Sequence, residues 1–245
     1  MSKDINIPQT TKNLFDQSNP ARLPVSQTVG KLLSRIGCNL FHMVEKLTNR
    51  AFTILNLYRT DYTTAIHARA IAKKLNVSHV TLIPHLRRLE KNRILLSKKV
   101  GKNKEYQLNP KNSLTKHYLT VTEELTTIDY LNKNFLIKKI ADALSNLNLA
   151  APLILFGSYA KNHATETSDI DLFYLGKLQQ KQLSEIKKHG RTYGKEINIK
   201  TSTIKNFIDG IRTGDILIKE IIKNHIILQN PSPFINLLWR CYTER

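Results

Sequence analysis

The residues with the clearest chemical promise lie in Leu153–Leu175, LILFGSYAKNHATETSDIDLFYL. Asp169 and Asp171 stand two apart at the head of an apolar run, and on a strand residues two apart share a face. Two carboxylates held side by side repel, and one takes up a proton unless a hard divalent cation with oxygen ligands removes the conflict; such ions suit phosphoryl chemistry. Upstream, Gly157 lets the backbone approach a ligand closely. Ser158 adds a hydroxyl and an amide at a helix start, where phosphate oxygens are favoured. Metal-type and phosphate-type residues thus fall within fifteen positions of each other.

The elements that must position these residues follow from the pattern. Leu153 to Phe156 is an apolar run of strand length closed by Gly157 and Ser158, and Ile170 to Leu175 is a second such run. Gly-Ser is a common turn, and Asp-x-Asp is often no more than the polar face of an edge strand. The whole order is far more specific: apolar strand, GS, then Ser168-Asp169-Ile170-Asp171-Leu172 opening another strand. It resembles the signature GSxARGxxxxxSDIDL of the DNA polymerase β-like nucleotidyltransferase superfamily, in its minimal and antitoxin-like branch. Lys161 stands here for the usual Arg, keeping the charge and losing the planar fork. Asn162 stands for the usual Gly, and Asn is the residue after Gly that best tolerates a positive φ.

The resemblance implies transfer of a nucleoside monophosphate from an NTP, with ATP the default by abundance, to an acceptor hydroxyl with two Mg²⁺ ions. Asp169 and Asp171 would be catalytic and hold the metals. Gly157, Ser158, Lys161 and Ser168 would bind the nucleotide. A third strand is expected over Glu196 to Thr201, EINIKT, where the superfamily commonly carries a third carboxylate. That slot holds Asn198, and Glu196 lies on the same strand face about 6.8 Å away along the chain. Glu196 is therefore the candidate third catalytic carboxylate.

Across its 245 residues the chain carries a formal charge of +19, so a polyanionic partner is expected, nucleic acid before membrane. Residues 1–112 hold 20 Lys and Arg against 6 Asp and Glu, and residues 113–245 hold 18 against 13, which assigns that partner to the N-terminal half. No apolar stretch approaches the roughly 20 residues of a spanning helix, and the N-terminus lacks the basic-then-apolar order of a signal peptide. A cytoplasmic protein with no membrane partner is expected. Cys38 and Cys241 are too few for a disulfide framework or a zinc site.

Residues 1–26 read as a polar arm with Pro8, Pro20 and Pro24, and Val29 to Leu47 as an amphipathic helix. From Thr64 the order is a short extended segment, a helix, a turn at Asn76 to Ser78, a second helix to about Lys91 and two extended segments around Val100-Gly101-Lys102-Asn103. Val80, Ile83, Leu86 and Leu89 are expected on the buried face of the second helix. This order resembles a winged helix-turn-helix of archaeal and bacterial transcription regulators. It implies DNA contacts by His79, Thr81, His85 and Arg88 from the second helix and by Lys99, Lys102 and Lys104 from the wing. Pro84 falls inside that helix, so the helix is expected to start later than Ser78 or to bend.

The expected fold class is α+β, in four segments. They are an arm (1–26), a winged helix domain with an extra helix (27–112), connecting helices (113–148) and a nucleotidyltransferase domain with a small mixed sheet (149–245). Two functions compete. One is a Mg²⁺-dependent nucleotidyltransferase coupled to a DNA-binding domain, with an unknown acceptor that includes protein. The other is a DNA-binding regulator or antitoxin-like protein whose nucleotidyltransferase domain binds nucleotide or a partner without turnover.

Overall fold

The computed structural model describes residues 50–243. The arm over 1–26 and the amphipathic run Val29–Leu47 lie outside the described residues. The chain enters through helix α1 (50–55) and a 3-10 turn, Asn56–Tyr58. Then come β1 (Ile66–His67), α2 (Ala68–Lys74), α3 (His79–Lys91), β2 (Leu95–Val100) and β3 (Asn103–Leu108). These strands form an antiparallel sheet in the order β1-β3-β2, with β2 and β3 joined by a hairpin at Gly101-Lys102.

Helix α3 starts directly after Ser78, whose Oγ accepts the amide of Thr81 at 3.1 Å. The expected later start does not occur: Pro84 is accommodated in the interior of α3, with its ring on the exposed side. The buried face also differs from the three-residue steps expected. Leu82, Leu86 and Leu89 are buried, whereas Val80 is 81% exposed. Steps of four and three follow the 3.6-residue turn, while repeated steps of three drift around the helix.

Helices α4 (Ser113–Lys133) and α5 (Phe135–Ser145) meet at Asn134, and Asn112 caps α4 through the amide of Leu114 at 3.1 Å. The second sheet contains β4 (Leu153–Phe156), β5 (Ile170–Tyr174), β6 (Ile197–Thr201) and β7 (Ile226–Gln229), in the order β6-β5-β4-β7. Only the β5 and β6 pair is parallel, so the sheet is mixed. Helices α6 (Gly157–Ala160), α7 (Gln180–Thr192), α8 (Ile204–Thr213), α9 (Ile216–Lys223) and α10 (Pro231–Thr243) complete the described chain. Helix α8 was not expected. Its signal is nonetheless local: Ile204, Phe207, Ile208 and Ile211 share a face, and Thr203 Oγ1 caps the amide of Asn206 at 3.2 Å.

Strand alternation sorts the second sheet into two cores. Leu155, Ile170, Leu172 and Tyr174 pack with Ile137, Ile140 and Leu144 of α5 and Ile186 of α7. Ile154, Phe156 and Phe173 join Phe207, Phe234 and Trp239 in a cluster that continues to Ile54, Leu82 and Leu95. Asp169 and Asp171 have the parity of Phe173 and so project on that second face. A buried ionic tie accompanies the apolar continuity. Arg59 donates from Nε to Glu123 Oε1 at 2.8 Å, and its Nη2 donates to Glu123 Oε2 at 2.6 Å and to the His225 carbonyl at 2.9 Å. His225 Nε2 lies 3.2 Å from Glu123 Oε1. Burial pushes the Glu123 carboxyl up, but the His225 and Arg59 charges more than reverse this and hold it at about 2. No helix among the described residues is long and apolar enough to cross a membrane.

Candidate functional site

The end of β4 and the starts of β5 and β6 share one edge of the mixed sheet, because β4 runs antiparallel and β6 parallel to β5. Phe156 is paired with Asp171, so the Gly157 turn leaves β4 against that carboxylate. Gly157 adopts φ +72°, and a Cβ there would lie 2.2 Å from Asp171 Oδ2. Only glycine fits on both counts: L residues avoid this φ, and the carboxylate occupies the space a methyl would need. The Ser158 hydroxyl makes no hydrogen bond among the described residues, while the Ser158 carbonyl accepts the His163 amide at 2.9 Å. Asn162 takes φ +56°, as a residue in the place of glycine must.

Asp169 is exposed and Asp171 half-buried. Burial, and after it the Asp169 carboxylate, raises Asp171 above the usual carboxylate range, with Lys200 pulling the other way. That mutual repulsion, together with an all-oxygen donor pair, fits a hard divalent cation held by Asp169 and Asp171.

Other expected site residues have partners of their own. Lys161 Nζ is 2.6 Å from Glu220 Oε1 on α9, so its charge is already matched. Ser168 builds the turn ahead of β5, its Oγ accepting the Thr165 amide at 2.9 Å. Glu196 does not complete a carboxylate trio. Among the described residues no three His, Cys, Asp or Glu side chains are grouped to hold a metal. Its backbone carbonyl accepts the Ile170 amide at 2.9 Å, but β6 begins only at Ile197. Glu196 is among the residues lining a cavity of about 430 Å³, with Lys187, Arg191 and Lys195. Residue 196 precedes the first paired residue of β6, Ile197, and its side chain makes no ion pair among the described residues. The neighbour of the acidic pair is Asn198, paired with Asp171 in register and donating from Nδ2 to Asp169 Oδ2 at 3.2 Å. Lys200 was also missed, although its parity with Asn198 on β6 places it on the same face.

A second polar surface lies in the first sheet's half. Arg69, His79, Arg87, Lys102 and Lys104 line a cleft of about 270 Å³ between α3 and the hairpin. His79, Lys102 and Lys104 were expected to share a surface; Arg69 and Arg87 were not, because no sequence interval links α2, α3 and the wing. Lys104 Nζ is engaged by Glu90, at 2.8 and 2.9 Å from its two carboxylate oxygens. Thr81, His85, Arg88 and Lys99 do not line the cleft. Thr81 Oγ1 lies 2.7 Å from Ser78 Oγ in the cap, and burial followed by Arg50 and Arg88 lowers the pKa of His85.

Among protein families, the model of the nucleotidyltransferase domain matches residues 137–228, from α5 to β7. The matched span contains the whole edge with Gly157, Asp169, Asp171 and Asn198. Nucleotidyl transfer is therefore the class of chemistry to which this half of the chain points. No curated protein and no solved structure matches the chain.

Proposed function

We propose that the chain transfers a nucleoside monophosphate from an NTP, with ATP the expected donor, to an acceptor hydroxyl at the edge formed by β4, β5 and β6. The observation that carries this reading is the contact of Gly157 with Asp171, which sets a phosphate-binding turn directly against a metal-type carboxylate. Gly157 and Ser158 bind the β- and γ-phosphates through backbone amides and the free hydroxyl. Asp169 and Asp171 hold the divalent cation, Mg²⁺ by expectation, which when bound neutralises charge around the α-phosphorus. The acceptor oxygen attacks that phosphorus and the bond to the bridging oxygen breaks. Pyrophosphate leaves with the electron pair, and the hydroxyl proton passes to water.

The basic half of the chain acts as a winged helix-turn-helix that binds duplex DNA through the cleft between α3 and the hairpin. Arg69, His79, Arg87 and Lys102 support this, standing together on a concave surface. The division at 27–112, 113–148 and 149–245 is then one of function: a DNA module, a connector and a transfer domain in a cytoplasmic protein. Asn198, neutral where the resemblance implies a carboxylate, favours a second reading in which the same edge binds nucleotide without turnover.

Incubation of the full chain with α-labelled NTPs, Mg²⁺ and cell extract separates the two. Label moves to an acceptor under the first reading, and Asp169→Ala or Asp171→Ala lowers transfer by at least ~1,000-fold, the scale expected for a metal-dependent phosphoryl site. Glu196→Gln stays within about twofold, since an acid-base group would cost ~100-fold or more. Nucleotide binding without any transfer selects the regulator.

A further inference from the structure

We propose that the site holds one divalent cation, not two, and that Lys200 supplies the second positive charge beside the α-phosphate, Asn198 being the substitution that makes this arrangement necessary. This rests on the nucleotidyl transfer reading above and specifies how its charge is balanced.

Two divalent ions a few ångströms apart need a bridging set of carboxylates to offset their own repulsion. Among the described residues the edge offers only Asp169 and Asp171. In the register of β5 and β6, Asn198 stands beside Asp171, and its amide donates to Asp169 Oδ2 at 3.2 Å. That amide is neutral and brings no charge to replace a carboxylate.

Lys200 follows two residues later on the same strand and therefore faces the same side. It is exposed, and among the described residues its ammonium has no ion pair, whereas Lys161, the other cation near the turn, is taken up by Glu220 at 2.6 Å. Two carboxylates, one ammonium and one divalent ion leave a single positive charge to meet the triphosphate. A second ion would raise that to three, on two ligands. In the transfer step Lys200 neutralises the non-bridging α-phosphate oxygen while the acceptor oxygen bonds to phosphorus and pyrophosphate departs. The ammonium keeps its proton throughout.

The test counts ions. Mn²⁺ is titrated into the full chain with an α,β-methylene ATP analogue, and bound ion is measured by electron paramagnetic resonance. One Mn²⁺ per chain with nucleotide is expected for the wild type, rising to two in Asn198→Asp. Lys200→Ala still binds one Mn²⁺ but loses transfer by roughly 30-fold or more, with partial recovery in Lys200→Arg. Two ions in the wild type, or transfer in Lys200→Ala within about twofold of wild type, overturns the proposal while leaving nucleotidyl transfer standing. A chain that binds the analogue with no ion, or no analogue at all, overturns both together.

Discussion

The edge bearing Asp169 and Asp171 and the cleft between α3 and the hairpin hold charge of opposite sign by opposite means. At the edge the backbone does the placing: short carboxylate side chains leave one strand, a glycine turn leaves its neighbour, and a single methyl would collide with Asp171. In the cleft the charges of Arg69, Arg87 and Lys102 sit at the ends of long side chains from three different elements. A reacting phosphorus must be positioned to fractions of an ångström, and a misplacement of about 1 Å can cost ~100-fold in rate. Counterion release along a polyanion asks only that cations stand near phosphates. The edge is therefore expected to fail abruptly under small changes, and the cleft to weaken charge by charge.

Three measurements break or sharpen that contrast. The largest effect falls on the tie that joins the two halves. Glu123→Gln leaves the buried Arg59 and His225 facing a neutral amide and is expected to cost about 3 kcal/mol or more of unfolding free energy in urea. The wild type carries a matching acid signature. Because the folded carboxyl is held at about 2 against an ordinary 4.5, its stabilisation is complete above the ordinary value and drains away as pH falls from there towards 2. Glu123→Gln flattens that part of the curve; an unchanged curve shows that other carboxylates govern acid unfolding.

Next comes Gly157→Ala, expected to lower transfer by roughly 100-fold through displacement of Asp171, with DNA affinity and fold unchanged. Transfer within threefold of wild type would mean that the edge tolerates looseness as the cleft does. The smallest steps belong to the cleft. Lys102→Ala and Arg87→Ala are each expected to reduce the slope of log affinity against log salt by about 0.9. Lys104→Ala changes it less, since Glu90 already neutralises that lysine. Fluorescence anisotropy with labelled duplex between ~50 and ~200 mM salt reads these slopes. Equal slopes in all three variants and wild type would remove DNA from the cleft.

Much of the edge was legible in one dimension because its parts are close in sequence and their periods are short. Leu153 to Asp171 spans a strand, a short helix, a loop and the start of the next strand, and alternation alone puts both carboxylates on one face. Caps are local too: the bond of Ser78 to the Thr81 amide spans three residues. Pro84 misled because the local cost of a proline says where a helix is strained, and the packing of Leu82, Leu86 and Leu89 decides whether it continues. Helix α8 was legible in its apolar spacing and capping threonine but was overlooked.

What the amino-acid order by itself determined is the set of elements and the acidic pair, since both depend on intervals of two to four residues and on local capping. Only the tertiary structure decided what stands beside that pair. Glu196 and Asn198 share a parity, yet the first paired residue of β6 is Ile197, and it is Asn198 whose amide reaches Asp169. Lys161 and Glu220 are brought together from α6's end and α9, and Arg59, Glu123 and His225 from three distant segments. Such charge partners have no sequence interval that could announce them. Which charges neutralise one another is fixed by the packing of the elements, and that packing leaves Lys200, two residues along β6 from Asn198, with no ion pair among the described residues.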